Sequence, residues 1–296
     1  MTIKRVGWIG TGVMGFHMCG KLMDAGYSVM VHNRTKNRAK ALVDRGAIWC
    51  STPGEVGSSC ELVFTILGYP EDVEEVLLGT DGVVRSAAPG TIVVDMTTSK
   101  PALARRIYDT AGEINITSLD APVSGGDVGA REGKLAIMVG GDRKVYEKVL
   151  PFFELMGENI SLLGPAGSGQ HTKMSNQILI ASTMIGTVES ILYAYRAGLE
   201  PDRVIDIIGK GAASSWSINN LGRRITAGNF DPGFFIKHFV KDMGIALEEA
   251  RRMKLSLPGL ALANQFYVSA MAMGYEDLGT QALYKVFEHL SNRIPG

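Results

Sequence analysis

The chain has 296 residues, 30 of them basic and 30 acidic, so its formal net charge is zero. That length predicts two domains, or one large one, with ample core. The balanced charge, with no basic run or aromatic-interleaved patch, argues against a nucleic-acid partner.

Three cysteines without a CxxC pair predict reduced thiols in a cytoplasmic protein, and five histidines without ligand spacing predict no metal. Arg5–Gly10 (RVGWIG) is a short apolar run entered directly, so neither a signal peptide nor a membrane anchor is expected. Gly10-Thr11-Gly12-Val13-Met14-Gly15 follows, ahead of a helical pattern that stops at Gly26. GxGxxG between a strand and a helix is the setting of a dinucleotide site. The first glycine makes the turn, the second lets backbone approach a pyrophosphate, and the third allows close helix–strand packing. The helix N-terminus then faces the phosphates. A glycine-rich turn without a nucleotide is the alternative.

The next strand, Tyr27–His32, ends in Asn33-Arg34-Thr35. An NAD site places Asp or Glu here for the ribose 2′-hydroxyl. This triplet offers an amide, a guanidinium and a hydroxyl instead, which suit a 2′-phosphate. NADP is therefore expected in preference to NAD. The competing reading makes Arg34 a solvated cation beside Lys36, Arg38 and Lys40.

Strand-like runs then alternate with helices. Leu62–Leu67 leads to Gly68-Tyr69-Pro70 and a helix through Leu78, and Thr91–Met96 leads to Thr97-Thr98-Ser99 and a helix from Pro101. Leu119–Pro122, Leu135–Val139 and Ile160–Leu163 read as further strands, with a helix over Asp142–Met156. Repeated βα units predict a doubly wound, mostly parallel sheet of Rossmann type. Ligands of such sheets bind at the carboxyl ends of the strands, which places Leu67 and Thr98 at the dinucleotide. Thr97 or Thr98 could equally cap a helix. In Asp120–Gly126 (DAPVSGG), Ser124, Gly125 and Gly126 offer a hydroxyl and successive open amides, a concavity for an anion such as a carboxylate. A tight turn into 127–133 competes with that reading.

Gly164–Ala197 opens with a glycine-rich loop and then carries no charge from Met174 to Val188. It predicts a helix of roughly 28 residues, about 40 Å long, buried on every side and linking two domains. Its polar residues and short uncharged run speak against a membrane span. Lys173 lies in the first turn, with Asn176 and Gln177 at i+3 and i+4 on one face. That makes a candidate site, although a lysine so placed is commonly solvated. The expected boundaries are 1–164 for a dinucleotide-binding domain and 165–296 for an all-α domain. Pro201–Lys210, Ile218–Ala227, Phe239–Lys254, Pro258–Met273 and Gly279–Leu290 read as helices, and Lys237 and Lys241 share a helical face. Trp216 is a candidate roof for a substrate pocket, with simple packing as the alternative.

Taken together, the chain resembles the β-hydroxyacid dehydrogenases, the family of 3-hydroxyisobutyrate dehydrogenase and of the tartronate, glyoxylate and succinic semialdehyde reductases. The N-terminal signature is matched by Gly7–Gly26 (GWIGTGVMGFHMCGKLMDAG), the substrate loop by Asp120–Gly133 (DAPVSGGDVGAREG), and the GxGxxxK loop by Gly167–Lys173 (GSGQHTK). A later KD pair matches Lys241-Asp242. The resemblance implies Lys173 as acid/base, Ser124, Gly125 and Gly126 around a substrate carboxylate, and Thr98 and Lys241 at the nicotinamide and substrate. It implies a small carboxylate-bearing aldehyde or hydroxy acid as substrate and a homodimer or homotetramer. Asn33-Arg34-Thr35 looks like the NADPH-preferring reductases of the family. The family usually has Asn four residues after the lysine, where this chain has Gln177, with Asn176 one place earlier. The alternatives are an NAD-dependent 3-hydroxyisobutyrate dehydrogenase and, from another class, a redox-silent NADP-binding module.

Overall fold

The computed structural model describes residues 3–291 and divides into two compact units, Met1–Lys173 and Met174–Gly296. In the first unit, β1 (Arg5–Ile9), α1 (Val13–Asp24) and β2 (Ser28–His32) form the opening βαβ unit. A short 3₁₀ turn (Lys36–Ala39), α2 (Lys40–Asp44), β3 (Ile48–Trp49) and α3 (Pro53–Ser59) follow. Thr52 caps α3 by accepting the Glu55 N–H at 3.1 Å, while the Glu55 carboxylate takes the Ser51 N–H at 2.6 Å. Reciprocal bonds of this kind satisfy donors that a helix start leaves open. Next come β4 (Leu62–Thr65), α4 (Pro70–Leu78), α5 (Val83–Ser86), β5 (Ile92–Asp95), α6 (Pro101–Gly112) and β6 (Thr117–Asp120). The unit continues with β7 (Val123–Ser124), α7 (Gly126–Glu132), β8 (Leu135–Gly140), α8 (Arg143–Phe153) and β9 (Gly157–Gly164).

Among the described residues nine strands form one sheet in the order β3-β2-β1-β4-β5-β6-β8-β7, with β9 on β8. Pairing is parallel except where β8 meets β6 and β7. The central strands are buried on both faces, as parallel sheets require. Along β4, Leu62 and Phe64 join the core cluster of Trp8, Met18 and Phe153, while Val63 joins that of Ile9, Val93 and Leu103. Each such side chain contributes roughly 1.5–3 kcal/mol on burial. The three cysteines are buried free thiols, and burial pushes Cys19 and Cys60 up to about 12.

α9 (Ser168–Arg196) has 29 residues. Within the second unit, Ala181, Met184, Val188 and Ile191 of α9 pack into a core with Phe239, Met243 and Tyr267. The expectation of burial on every side fails: Ser175, Leu179, Ser182, Gly186, Glu189 and Tyr193 are exposed, and their spacing of four and three places them on one stripe. By length and hydropathy α9 also passes for a membrane span, contrary to the expectation from its uncharged run, but its opposite face is core. The rest is helical: α10 (Pro201–Ile208), α11 (Gly222–Thr226), α12 (Ile236–Arg252), α13 (Pro258–Ala272) and α14 (Leu283–Leu290). The single helix expected over Ile218–Ala227 is instead a π turn, Ser217–Leu221, running into α11. Trp216 beside it is 66% exposed.

Candidate active site

The loop after β1 is shaped by contact. A Cβ on Gly15 would lie 1.9 Å from the Gly10 carbonyl oxygen, and one on Gly10 would lie 2.1 Å from that of Ile66. Gly12 differs: a Cβ there meets no protein atom within 4 Å, and its φ of −72° is open to any residue. Nothing in the protein demands glycine at Gly12, so the bare backbone fits an outside group such as a pyrophosphate. The start of α1 also carries no side-chain cap and no acid in its first turn, which leaves its N–H groups for an anion.

At the end of β2, Asn33 accepts the Thr11 N–H at 3.0 Å and donates to the Thr35 carbonyl at 2.9 Å. Its amide therefore ties the two loops together instead of standing ready for a ligand. Thr35 precedes the 3₁₀ turn without a side-chain cap bond. Arg34 is 88% exposed by side chain and donates to Asp72 of α4 at 3.0 Å. The expectation that no acid stands at this strand end is thereby corrected. The carboxylate comes from a helix 38 residues downstream.

At the ends of β4 and β5, the Leu67 N–H donates to the Thr97 hydroxyl at 2.8 Å. Asp95 accepts from the Thr65 hydroxyl at 2.8 Å and the Thr97 N–H at 3.1 Å. Thr98, half-buried, follows. α6 is N-capped at Lys100, so neither Thr97 nor Thr98 is a cap. Gln170, fully buried on the first turn of α9, accepts the Ser99 N–H at 2.9 Å and donates to the Thr97 carbonyl at 2.7 Å. It thus grips both neighbours of Thr98. Asp120, at the end of β6, accepts the N–H groups of Gly167 at 2.7 Å and Gln170 at 2.8 Å. Those bonds anchor the start of the helix whose next turn carries Lys173, which is 6% exposed. Sequence reasoning passed over Asp95, Asp120 and Gln170, although two of them lie inside motifs quoted for other residues.

Burial pushes the Asp95 carboxyl up to about 6 against the hydrogen bonds from Thr97 and Thr65, and raises Asp120 as well. An acid raised in the folded state lends stability that is full below about pH 4 and is lost as pH rises through its folded value. Asp95→Asn keeps the accepting oxygen and cannot ionise. Its stability relative to wild type should therefore rise between about pH 4 and 7. Urea midpoints across that range check this, and a constant difference would contradict it.

Beyond Asp120, Ser124 ends β7, and Gly125 and Gly126 follow with φ of +133° and +63°, a region side chains avoid. They lead into α7, which has no side-chain cap and packs on α1. In the second unit, Asn176 donates to Gln177 at 2.8 Å, and Gln177 donates to buried Asp242 at 2.6 Å. Lys241 pairs with Asp242 at 3.1 Å and is nearly buried, whereas Lys237 pairs with Asp277 on the surface. The KD pair thus gains a third member, because Asp242 seats both Lys241 and Gln177. No group of acids, cysteines and histidines among the described residues could hold a metal.

Comparison with known proteins gives two family matches that together run nearly the length of the chain. Residues 5–164 match the NAD binding domain of 6-phosphogluconate dehydrogenase, and residues 167–287 match the NAD-binding domain of NADP-dependent 3-hydroxyisobutyrate dehydrogenase. The chain is 51% identical over 97% of its length to the Arabidopsis thaliana protein named probable 3-hydroxyisobutyrate dehydrogenase-like 1, mitochondrial, covering 86% of it. To 2-hydroxy-3-oxopropionate reductase of Escherichia coli the identity is 37%, with 97% of this chain and 98% of that one covered. A solved structure of Mycobacterium tuberculosis 3-hydroxyisobutyrate dehydrogenase with L-serine superposes with a TM-score of 0.88 at 27% identity, covering 97% of this chain and 99% of that one.

Proposed function

The chain belongs to the β-hydroxyacid dehydrogenase family and is an NAD(P)-dependent oxidoreductase of hydroxy acids; from that footing we propose that it is an NADPH-preferring reductase of small carboxylate-bearing aldehydes, with Lys173 as general acid. One observation carries the reading. Lys173 is buried on a helix whose start is clamped by Asp120 to the end of β6 and by Gln170 to the turn that bears Thr98. A lysine so fixed is a positioned acid, not a solvated surface cation.

The Gly10–Gly15 loop and the open start of α1 would hold the pyrophosphate, with Leu67 and Thr98 further along the same edge of the sheet and Arg34 at the 2′-phosphate. A dinucleotide held there would supply the hydride. Ser124 and the amides of Gly125 and Gly126 hold the substrate carboxylate and so fix the carbonyl carbon. As the carbon gains hydride, its oxygen becomes an alkoxide. Lys173 transfers one ammonium proton to it, giving the hydroxy acid and a neutral amine that solvent reprotonates. Gln177 donates to Asp242 and so helps seat Lys241, with Asn176 donating to Gln177 behind it. Lys241, seated by Asp242, adds positive charge for the anionic substrate. The exposed stripe on α9, with Leu179 and Tyr193, supports a homodimer or homotetramer.

Steady-state rates with glyoxylate, succinic semialdehyde and tartronate semialdehyde, each with NADPH and NADH, test the reading. At least one should be reduced with NADPH ahead of NADH, by a species whose light-scattering mass is a multiple of the chain's. Faster turnover with NADH throughout, or a monomer, would overturn the corresponding part.

A further inference from the structure

The acid that the Asn33-Arg34-Thr35 turn lacks is supplied by α4. Asp72 lies in the first turn of that helix, opened by Pro70, where the helix end favours a negative charge. Its carboxylate accepts from Arg34 Nη1 at 3.0 Å. The Asp72 side chain is 29% exposed against 88% for Arg34, so the better-held partner is the acid, and the arginine reaches to it. Two of the three other cations nearby are also engaged, while Arg38 is exposed. Lys40 is paired with Asp44, and Lys36 lies over the Trp49 ring at 5.4 Å. Asn33 spends its amide on Thr11 and Thr35.

We propose that Asp72 is a specificity-determining residue that holds down the preference for a 2′-phosphorylated dinucleotide by occupying Arg34. This rests on the reading of Arg34 as the partner of the 2′-phosphate. Paired with Asp72, the guanidinium presents a locally neutral site to a group of about two negative charges. The phosphate must displace the carboxylate from Nη1 and then sit beside it, a like-charge contact in solvent. A dinucleotide without the phosphate brings a hydroxyl, which a carboxylate accepts readily. One residue thereby penalises NADPH and favours NADH, so the enzyme accepts both cofactors more evenly than Arg34 alone would allow.

Fluorescence titration of the full-length wild type, Asp72→Asn and Arg34→Ala with NADPH and NADH separates the two claims. Asp72→Asn should tighten NADPH by about two- to fivefold, the scale of an exposed charge contact, and leave NADH unchanged or slightly weaker. Added salt should shrink the gain. Arg34→Ala should weaken NADPH by about ten- to 150-fold, the worth of one charge-assisted hydrogen bond. If Arg34→Ala weakens NADPH but Asp72→Asn leaves it unchanged, the role of Asp72 is overturned alone. Weaker NADPH binding to Asp72→Asn would also overturn it, since Asp72 would then orient Arg34 for the phosphate. If Arg34→Ala keeps wild-type NADPH affinity, the reading of Arg34 falls and takes this proposal with it.

Discussion

Lys173→Ala should lower kcat by about 10²–10⁴-fold, the usual contribution of positioned general acid–base catalysis. The dissociation constant of NADPH should stay within a factor of about two, because Lys173 is assigned to the substrate's oxygen and not to the dinucleotide. Alanine is a good helix former, and the clamp at Asp120 and Gln170 uses no atom of Lys173. The fold should therefore survive, as a thermal scan would show. The limb of the pH profile that belongs to the acid should vanish with the side chain. Near-normal kcat, or an unchanged pH profile, would remove Lys173 from the chemistry.

Gly125→Val should have an effect of similar size by a different route. At φ +133° a branched side chain is strained, and its Cβ would stand 3.1 Å from Leu135 Cδ2. The loop must shift, and the amides of Gly125 and Gly126 turn with it. Hydrogen bonds to a charged group are worth roughly 1.5–3 kcal/mol each, so losing two costs on the order of 10²–10⁴ in kcat/KM for an acid substrate. Some stability goes as well, on the order of 1–3 kcal/mol for the backbone. The ratio of kcat/KM for an acid to that for its uncharged analogue separates the two effects, because a general loss of folded enzyme lowers both alike. A variant that keeps the wild-type ratio would show that this loop is only a turn.

Much of this site could be read in the chain before folding. The glycines at Gly10, Gly12 and Gly15 follow an apolar strand and precede a helix, a local pattern with a local cause. The long α9 was legible for the same reason. What escaped reading depends on partners distant in sequence. Asp72 meets Arg34 only because α4 follows β4, the strand beside β1. Gln170 and Asp120 meet across 50 residues, and nothing in either neighbourhood announces it. The exposed stripe of α9 could not be told from its buried faces, because no face carries a charge between Met174 and Val188 and only packing distinguishes them. The two-residue β3 and β7 were hidden by their shortness, and the antiparallel placement of β8 depends on its pairing with β6 and β7, partners that its own residues do not announce.

The proposed activity joins recognition of a substrate carboxylate to reduction with NADPH. The most direct test is kcat/KM of the wild type for succinic semialdehyde against butanal, the same chain length without the acid, at saturating NADPH. If the Ser124–Gly126 loop anchors the anion, the acid should be preferred by about 10²-fold or more, from one to two charge-assisted hydrogen bonds. Equal values for the two aldehydes, with the enzyme active on both, would contradict the account.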